Sequence, residues 1–252
     1  MINIIKGLRL PECILVVILG LIGFKFASIH PNIQTLVALF FVIAVTMLQN
    51  DWRDRVHDIN KRKTFAHEKP VIFLSWLILF WIVCGIQIIM LSYNFPATSF
   101  LLLGMAFVGL IYSEARHIHL LSVFLVTFTV ASSELIPVTF GAKLSTVLGL
   151  LITTSLIIFG RETLHDIADT DVDKGYKKTL PLYIGNKSTR IISLIALIIG
   201  CCFAVIISPI SLIGSVFILW GLTKVMKDES LKWVRNRIDF GLIILSLSLL
   251  LM

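Results

Sequence analysis

Long apolar segments dominate this chain of 252 residues and leave few folds open to it. A segment of about 17–25 apolar residues is long enough to cross a bilayer as a helix. Only 15% of the residues are charged, well below the roughly 25% of an average soluble protein. The sequence therefore predicts an all-α fold, a polytopic membrane helical bundle of nine transmembrane helices, in a single domain over residues 1–252. The candidate segments lie at 11–29, 32–50, 71–92, 97–113, 119–140, 143–160, 190–207, 209–224 and 238–252.

Positive charge is concentrated on one side of this predicted bundle. With the N-terminus inside, the cytoplasmic segments hold 20 of the 22 lysines and arginines, and only Lys25 and Lys143 fall elsewhere. This positive-inside pattern predicts a cytoplasmic N-terminus and a C-terminus outside. The net charge of +7 therefore reflects topology, and we expect contact with the lipid bilayer and an anionic substrate rather than with nucleic acid. We infer no obligatory protein partner. The cytoplasmic segments are 1–10, 51–70, 113–118, 161–189 with Arg190, and 224–237.

Two acidic clusters with the same internal spacing follow the second and sixth apolar segments. Each carboxylate of the second cluster lies 115 residues after its counterpart, and the six together come from only 15 acidic residues in the chain. Both clusters are predicted to be cytoplasmic. A solvated helix end with salt bridges is the simpler reading of one such cluster, but a matched pair favours a site. The six residues are Asp51, Asp54, Asp58, Asp166, Asp169 and Asp173.

The spacing of each cluster corresponds to positions i, i+3 and i+7, which share one face of a helix. If the second and sixth spans continue a few turns beyond the membrane, each presents a stripe of oxygen ligands. Two facing stripes repel one another without cations, and hard oxygen ligands favour Mg²⁺ or Mn²⁺. Basic side chains in the flanking loops suit phosphate oxygens. These features predict an isoprenoid diphosphate, held by metal at the mouth of an apolar bundle that shields the ionised prenyl group from water.

Several motifs carry a resemblance to a known family. Residues 50–58 fit NDxxDxxxD and residues 166–173 fit DxxDxxxD, and in this topology the chain resembles the UbiA superfamily of intramembrane aromatic and lipid prenyltransferases. Gly160-Arg161-Glu162 and Lys178-Thr179-Leu180-Pro181, on either side of the second motif, agree with the family pattern. So do Tyr112-Ser113 after the fourth segment and Arg9 at the start of the first.

The resemblance implies a Mg²⁺-dependent transfer of a prenyl group from a polyprenyl diphosphate to an aromatic or lipid acceptor. Two Mg²⁺ ions would be bound directly or through water by Asn50, Asp54, Asp58, Asp166, Asp169 and Asp173. Asp51 would contribute a ligand or orient one. Asp54, Asp58, Asp169 and Asp173 are the residues on which catalysis is expected to depend. Candidates for contacting the diphosphate are Arg9, Arg55, Lys63, Tyr112, Arg161 and Lys178.

The chain departs from the family pattern where an acceptor would bind. The Arg-Pro and Ser-Gly that commonly follow the first motif are replaced by Glu68-Lys69-Pro70, and residues 114–119 form a short loop. Two other functions are therefore considered. A terpene cyclase would use the same site and capture the cation with the substrate's own double bonds. A transporter would more often place polar ligands near the membrane midplane, where this chain carries little charge apart from Glu134 and Lys25.

Glu134 is an intramembrane carboxylate, which makes it a functional candidate. It could stabilise a carbocation or bind an acceptor. Pairing with Ser132, Ser133 or a helix backbone is an equally acceptable interpretation.

Overall fold

A computed structural model describes residues 9–56, 65–115, 118, 120–225 and 231–251, and within these ranges the chain is helical and contains no strand. Proline or a polar cap begins several of the helices. The side chain of Asn32 accepts a hydrogen bond from the Thr35 amide (2.9 Å) at the start of the second helix, which satisfies one of the amides that a helix leaves open there. Pro70 and Pro96 stand at the first positions of the next two helices, where a missing amide proton is tolerated. The first four long helices are α1 (Leu10–Phe26), α2 (Ile33–Asp54), α3 (Pro70–Asn94) and α4 (Pro96–Ala115).

The second half of the described chain contains five further long helices, joined by short helical turns. The long helices are α5 (Leu121–Ala131), α6 (Leu144–Ala168), α7 (Asn186–Ile207), α8 (Leu212–Val225) and α9 (Leu231–Leu251). These short turns are Ser132–Leu135, Ile136–Thr139, Thr170–Asp173, Leu180–Ile184 and Pro209–Ser211, and one more, Phe65–Glu68, lies between α2 and α3.

Five stretches of the described chain are long and apolar enough to cross a membrane. They are α2, α3, the continuous stretch Leu121–Thr139 that α5 begins, α6 and α7. Two shorter apolar helices cover Pro96–Tyr112 and Pro209–Thr223. The described residues are therefore all-helical with five candidate membrane spans, whereas the predicted number of nine spans stays a prediction.

The helices pack into a closed ring. Along the chain, α1 lies beside α2, α2 contacts both α3 and α4, and each helix from α4 to α8 contacts the next. The last helix, α9, then packs against both α8 and α1 and closes the ring. Near the C-terminal ends of α1 and α9, Lys25 Nζ donates a hydrogen bond to the Leu250 carbonyl (2.6 Å). The C-terminal ends of α2 and α6 lie on one side of the ring, because Tyr176, in the loop that follows α6, donates a hydrogen bond to Asp54 at the end of α2 (3.2 Å).

Small residues allow two helix pairs to approach closely, as is common between membrane helices. At Gly160 on α6, a Cβ atom would lie 2.9 Å from the Ser193 carbonyl oxygen on α7. Beside it, the hydroxyls of Thr163 and Ser193 are 2.6 Å apart and share a hydrogen bond. At Gly214 on α8, a Cβ would lie 2.5 Å from the backbone nitrogen of Leu245 on α9. These contacts fix α6 to α7 and α8 to α9.

The stretch that begins as the α-helix α5 continues as a turn of 3₁₀ helix at Ser132–Leu135. This turn packs against α1, and Glu134 within it is fully buried. The sequence suggested Ser132, Ser133 or a backbone group as the partner of Glu134. Its partner in the structure is Thr154 on α6, whose hydroxyl donates to Oε1 of Glu134 at 2.5 Å.

Candidate functional site

The first acidic cluster lies at the end of α2, which carries Asn50, Asp51 and Asp54 and ends at the last of them. Asp51 and Asp54 are 4% and 5% exposed, so both carboxylates lie under neighbouring elements rather than at a solvated helix end. Asp58, the third member of the predicted stripe, and Lys63, a predicted diphosphate contact, lie outside the described residues.

Arg9 and Asp51 form a close ion pair between the start of α1 and the end of α2. Arg9 Nη2 donates to Asp51 Oδ1 at 2.6 Å, and the Arg9 backbone adopts a left-handed conformation with φ of 45°. Burial alone would lower the pKa of the Arg9 guanidinium, but the ion pair with Asp51, together with weaker contributions from Glu12 and Tyr112, holds that pKa above its ordinary value. The structure thus joins a predicted diphosphate contact to a predicted metal ligand, a pairing that the sequence did not indicate.

The second acidic cluster departs from the predicted helical stripe. Asp166 lies in the last turns of α6, but this helix ends at Ala168, and Asp169 lies between it and the separate turn Thr170–Asp173. The Thr170 hydroxyl donates to the carbonyls of Asp166 and Ile167, both at 3.0 Å. A side-chain donor at this point satisfies carbonyls that the helix end leaves open. The three carboxylates therefore do not share one continuous helix.

The loop after the second cluster brings two further side chains to the acidic residues. Tyr176 donates its hydroxyl hydrogen to Asp54 Oδ1 at 3.2 Å, which joins the two clusters directly. Lys177 Nζ lies 3.4 Å from Oδ2 of Asp173, a carboxylate that is only 1% exposed. Lys178, the lysine that the sequence favoured as a diphosphate contact, is exposed. Sequence reasoning missed Tyr176, which only its place after Gly175 could have marked.

Arg161 is held between two carboxylates. Its Nε donates to Asp239 Oδ1 on α9 at 2.6 Å, and its Nη1 contacts the carboxylate of Glu162. Sequence reasoning missed Asp239, although an isolated carboxylate near the start of the final apolar segment is the kind of signal that marks a functional or paired group. The predicted diphosphate contact Arg161 thus also ties α6 to α9.

The remaining two predicted diphosphate contacts, Tyr112 and Arg55, have different surroundings. Tyr112, near the end of α4, is close enough to Asp166 and Asp173 of the second cluster, and to Glu162 and Arg9, to interact with them electrostatically. It therefore lies near the second cluster and near Arg9, the partner of Asp51. Arg55 stacks over the Trp52 ring, 3.9 Å from its centroid, and donates to the Trp52 carbonyl at 2.7 Å.

The donor set of the second cluster fits a hard divalent cation. Asp166 Oδ2 is buried and makes no hydrogen bond, and the carboxylate is repelled by Glu162, Asp169 and Asp173, while Lys177 attracts it. A buried carboxylate among like charges is stabilised by a cation. Among the described ranges, which leave out Asp58, no three His, Cys, Asp or Glu side chains already enclose a metal position.

Comparison with solved structures shows the same fold at low sequence identity. The chain is similar to digeranylgeranylglyceryl phosphate synthase, with a TM-score of 0.71, 19% identity, and 99% of this chain and 96% of that one covered. It is similar to a UbiA homolog from Aeropyrum pernix K1, with a TM-score of 0.73, 14% identity, and coverage of 96% and 98%. A UbiA homolog from Archaeoglobus fulgidus, solved with GPP and Mg²⁺, gives a TM-score of 0.64, 14% identity, and coverage of 99% and 100%.

Sequence comparison gives the family itself. No curated protein matches the chain, but the model of the UbiA prenyltransferase family matches residues 14–227. Because the match extends over most of the sequence, the chain belongs to the UbiA prenyltransferase family.

Proposed function

We propose that this protein is a Mg²⁺-dependent intramembrane prenyltransferase that ionises a polyprenyl diphosphate and transfers its prenyl group to an aromatic or lipid acceptor. The observation that carries the proposal is the contact between Tyr176 and Asp54, because it joins the two acidic clusters at one end of an apolar helical ring. Family membership supports the same reaction. The A. fulgidus homologs solved with DMAPP or GPP and Mg²⁺ support the substrate class and the metal.

The aspartate carboxylates of the two clusters and the side-chain amide of Asn50 would hold the metal. The first cluster would supply Asn50, Asp54 and Asp58, and the second Asp166, Asp169 and Asp173; two ions are proposed. Asp51 is a less direct participant, because it is paired with Arg9 and so is better suited to orienting that guanidinium. When bound, Mg²⁺ would neutralise the charge that develops on the leaving diphosphate.

Basic and tyrosine side chains bind the diphosphate, and the apolar helices shield the allylic cation from water. Arg9 and Lys177 lie beside buried carboxylates of the two clusters, where they can contact phosphate oxygens. Tyr112 lies near Asp166 and Asp173 of the second cluster and near Arg9, and it can donate its hydroxyl hydrogen to the diphosphate. The helical ring below buries the hydrocarbon tail and excludes water, which would otherwise capture the allylic cation.

We also propose that the site faces the cytoplasm, with the C-terminus on the other side. The excess of lysine and arginine in the segments on the site's side of the bundle supports this orientation, as the positive-inside rule requires. A cysteine introduced near the site end of α6 should react with a membrane-impermeant maleimide only from the cytoplasmic side.

The reaction is tested with purified protein in lipid nanodiscs, Mg²⁺, and prenyl diphosphates of increasing length. Each is incubated with and without candidate aromatic and glycerol-phosphate acceptors, and products are identified by mass spectrometry. Diphosphate release that requires an acceptor, together with a prenylated acceptor, supports the proposal. A cyclic or hydroxylated hydrocarbon formed without acceptor indicates a cyclase and contradicts transfer. Solute flux in proteoliposomes without any product contradicts an enzyme.

A further inference from the structure

The segment Gly175–Lys177 reaches from the second acidic cluster to the first. Gly175 has a φ of +86°, a backbone conformation that residues other than glycine rarely adopt. This turn reverses the chain directly after Asp173, and the amides of Tyr176 and Lys177 both donate to the Asp173 carbonyl at 2.9 Å. The backbone of the segment is therefore anchored on the second cluster.

From this anchored backbone the Tyr176 side chain extends to the first cluster. Its hydroxyl donates to Asp54 Oδ1, a contact between residues 122 positions apart in sequence. The acceptor carboxylate is 5% exposed, and the tyrosine is itself partly buried. A hydrogen bond at a buried carboxylate restricts the rotation of that group and so defines where its oxygens point.

We propose that Tyr176 is a positioning residue, which holds the Asp54 carboxylate in the orientation needed to bind a divalent cation and thereby sets metal affinity. The inference rests on the proposed function, because it assigns Asp54 to the metal. Hydrogen-bonded partners of ligating side chains fix the ligand's orientation, and losing one weakens metal binding by on the order of 10- to 100-fold. Tyr176 thus acts through Asp54 and need not touch the substrate.

The substitution Tyr176→Phe tests this role because it removes the hydroxyl and keeps the ring. Tyr183→Phe is the matched control, since Tyr183 lies in the following helical turn and is 67% exposed. Mn²⁺ is the probe, and its binding is measured by electron paramagnetic resonance of free Mn²⁺ with protein in nanodiscs. We expect the Mn²⁺ dissociation constant to rise on the order of 10-fold in Tyr176→Phe and to stay unchanged in Tyr183→Phe.

A second readout separates positioning from a general structural defect. The Mg²⁺ concentration for half-maximal diphosphate release should rise by a similar factor in Tyr176→Phe, while kcat at saturating Mg²⁺ stays within about twofold. An unchanged Mn²⁺ dissociation constant in Tyr176→Phe overturns the inference, as does an equal rise in Tyr183→Phe. Wild-type protein that binds no Mn²⁺ would instead contradict the proposed function itself.

Discussion

Arg161 on α6 donates a hydrogen bond from its Nε to Oδ1 of Asp239 on α9, at a distance of 2.6 Å. The Arg161 side chain is 16% exposed and the Asp239 side chain 32%. This pair links the helix that carries the second acidic cluster to the helix that closes the ring. Asp239 lies beyond residues 14–227, where the family model matches.

Removing the Asp239 carboxylate should loosen this link. Asp239→Ala is expected to destabilise the protein by about 1–2 kcal/mol, the range for a hydrogen bond to a charged group with partial exposure. Thermal unfolding in detergent measures the change. Glu68→Ala is the control, because Glu68 is an exposed carboxylate in the short turn Phe65–Glu68. Equal unfolding temperatures for Asp239→Ala and wild type would show that the pair does not hold α9.

The pair of Arg9 and Asp51 should behave as a buried ion pair whose halves need each other. Arg9→Met leaves the buried Asp51 carboxylate without its guanidinium, and should destabilise the protein by about 3 kcal/mol. The double variant Arg9→Met with Asp51→Leu should recover part of that loss, because no uncompensated charge remains. Thermal unfolding of the two variants checks this. A double variant less stable than Arg9→Met would contradict the pairing.

Close packing between α8 and α9 predicts a strict requirement for glycine at one position. Gly214→Ala would place a Cβ 2.5 Å from the Leu245 nitrogen, and a backbone contact of this kind should destabilise the protein by about 1–3 kcal/mol. Gly104→Ala on α4 is the matched control, since a Cβ there meets nothing within 4 Å. Size-exclusion profiles after heating compare the two, and a normal profile for Gly214→Ala would refute the close approach.

The predicted helices follow from local physics that a single sequence displays. Apolar segments of bilayer length, with Pro70 and Pro96 at their starts, indicate where α3 and α4 begin. The 3₁₀ turn around Glu134 could not be predicted, because it depends on packing against α1 and on Thr154, 20 residues further along the chain. An apolar segment without clear periodicity contains no sign of such a change in winding.

The site was predictable in its residue types but not in its pairings. The repeated carboxylate spacing singled out the acidic residues, and Arg9 and Arg161 were named as candidate diphosphate contacts, a role that stays a prediction. Their partners, Asp51 and Asp239, lie 42 and 78 residues away, so the pairs depend on which helices become neighbours in the ring. The spacing also suggested a continuous stripe from Asp166 to Asp173, which the Thr170 hydroxyl interrupts by capping the end of α6.

Glu134 offers a test of what a carboxyl group does inside the bundle. Glu134→Gln keeps an oxygen that accepts from Thr154 and should leave thermal stability near that of wild type. Glu134→Leu removes the acceptor and leaves a buried hydroxyl unsatisfied, at a cost of about 1–3 kcal/mol. The unfolding temperatures of the two variants in detergent compare these effects. If both variants unfold at the same temperature, the hydrogen bond to Thr154 contributes nothing to stability.

The most direct test of the account is Mg²⁺-dependent release of diphosphate from a prenyl diphosphate substrate. We predict that Asp54→Ala and Asp169→Ala, one from each acidic cluster, both abolish release while the proteins remain folded by size-exclusion chromatography. Asp171→Ala is the matched control, because Asp171 is an exposed carboxylate in the turn Thr170–Asp173, and it should release diphosphate at the wild-type rate. Full activity in both Asp54→Ala and Asp169→Ala would contradict the assignment of the site.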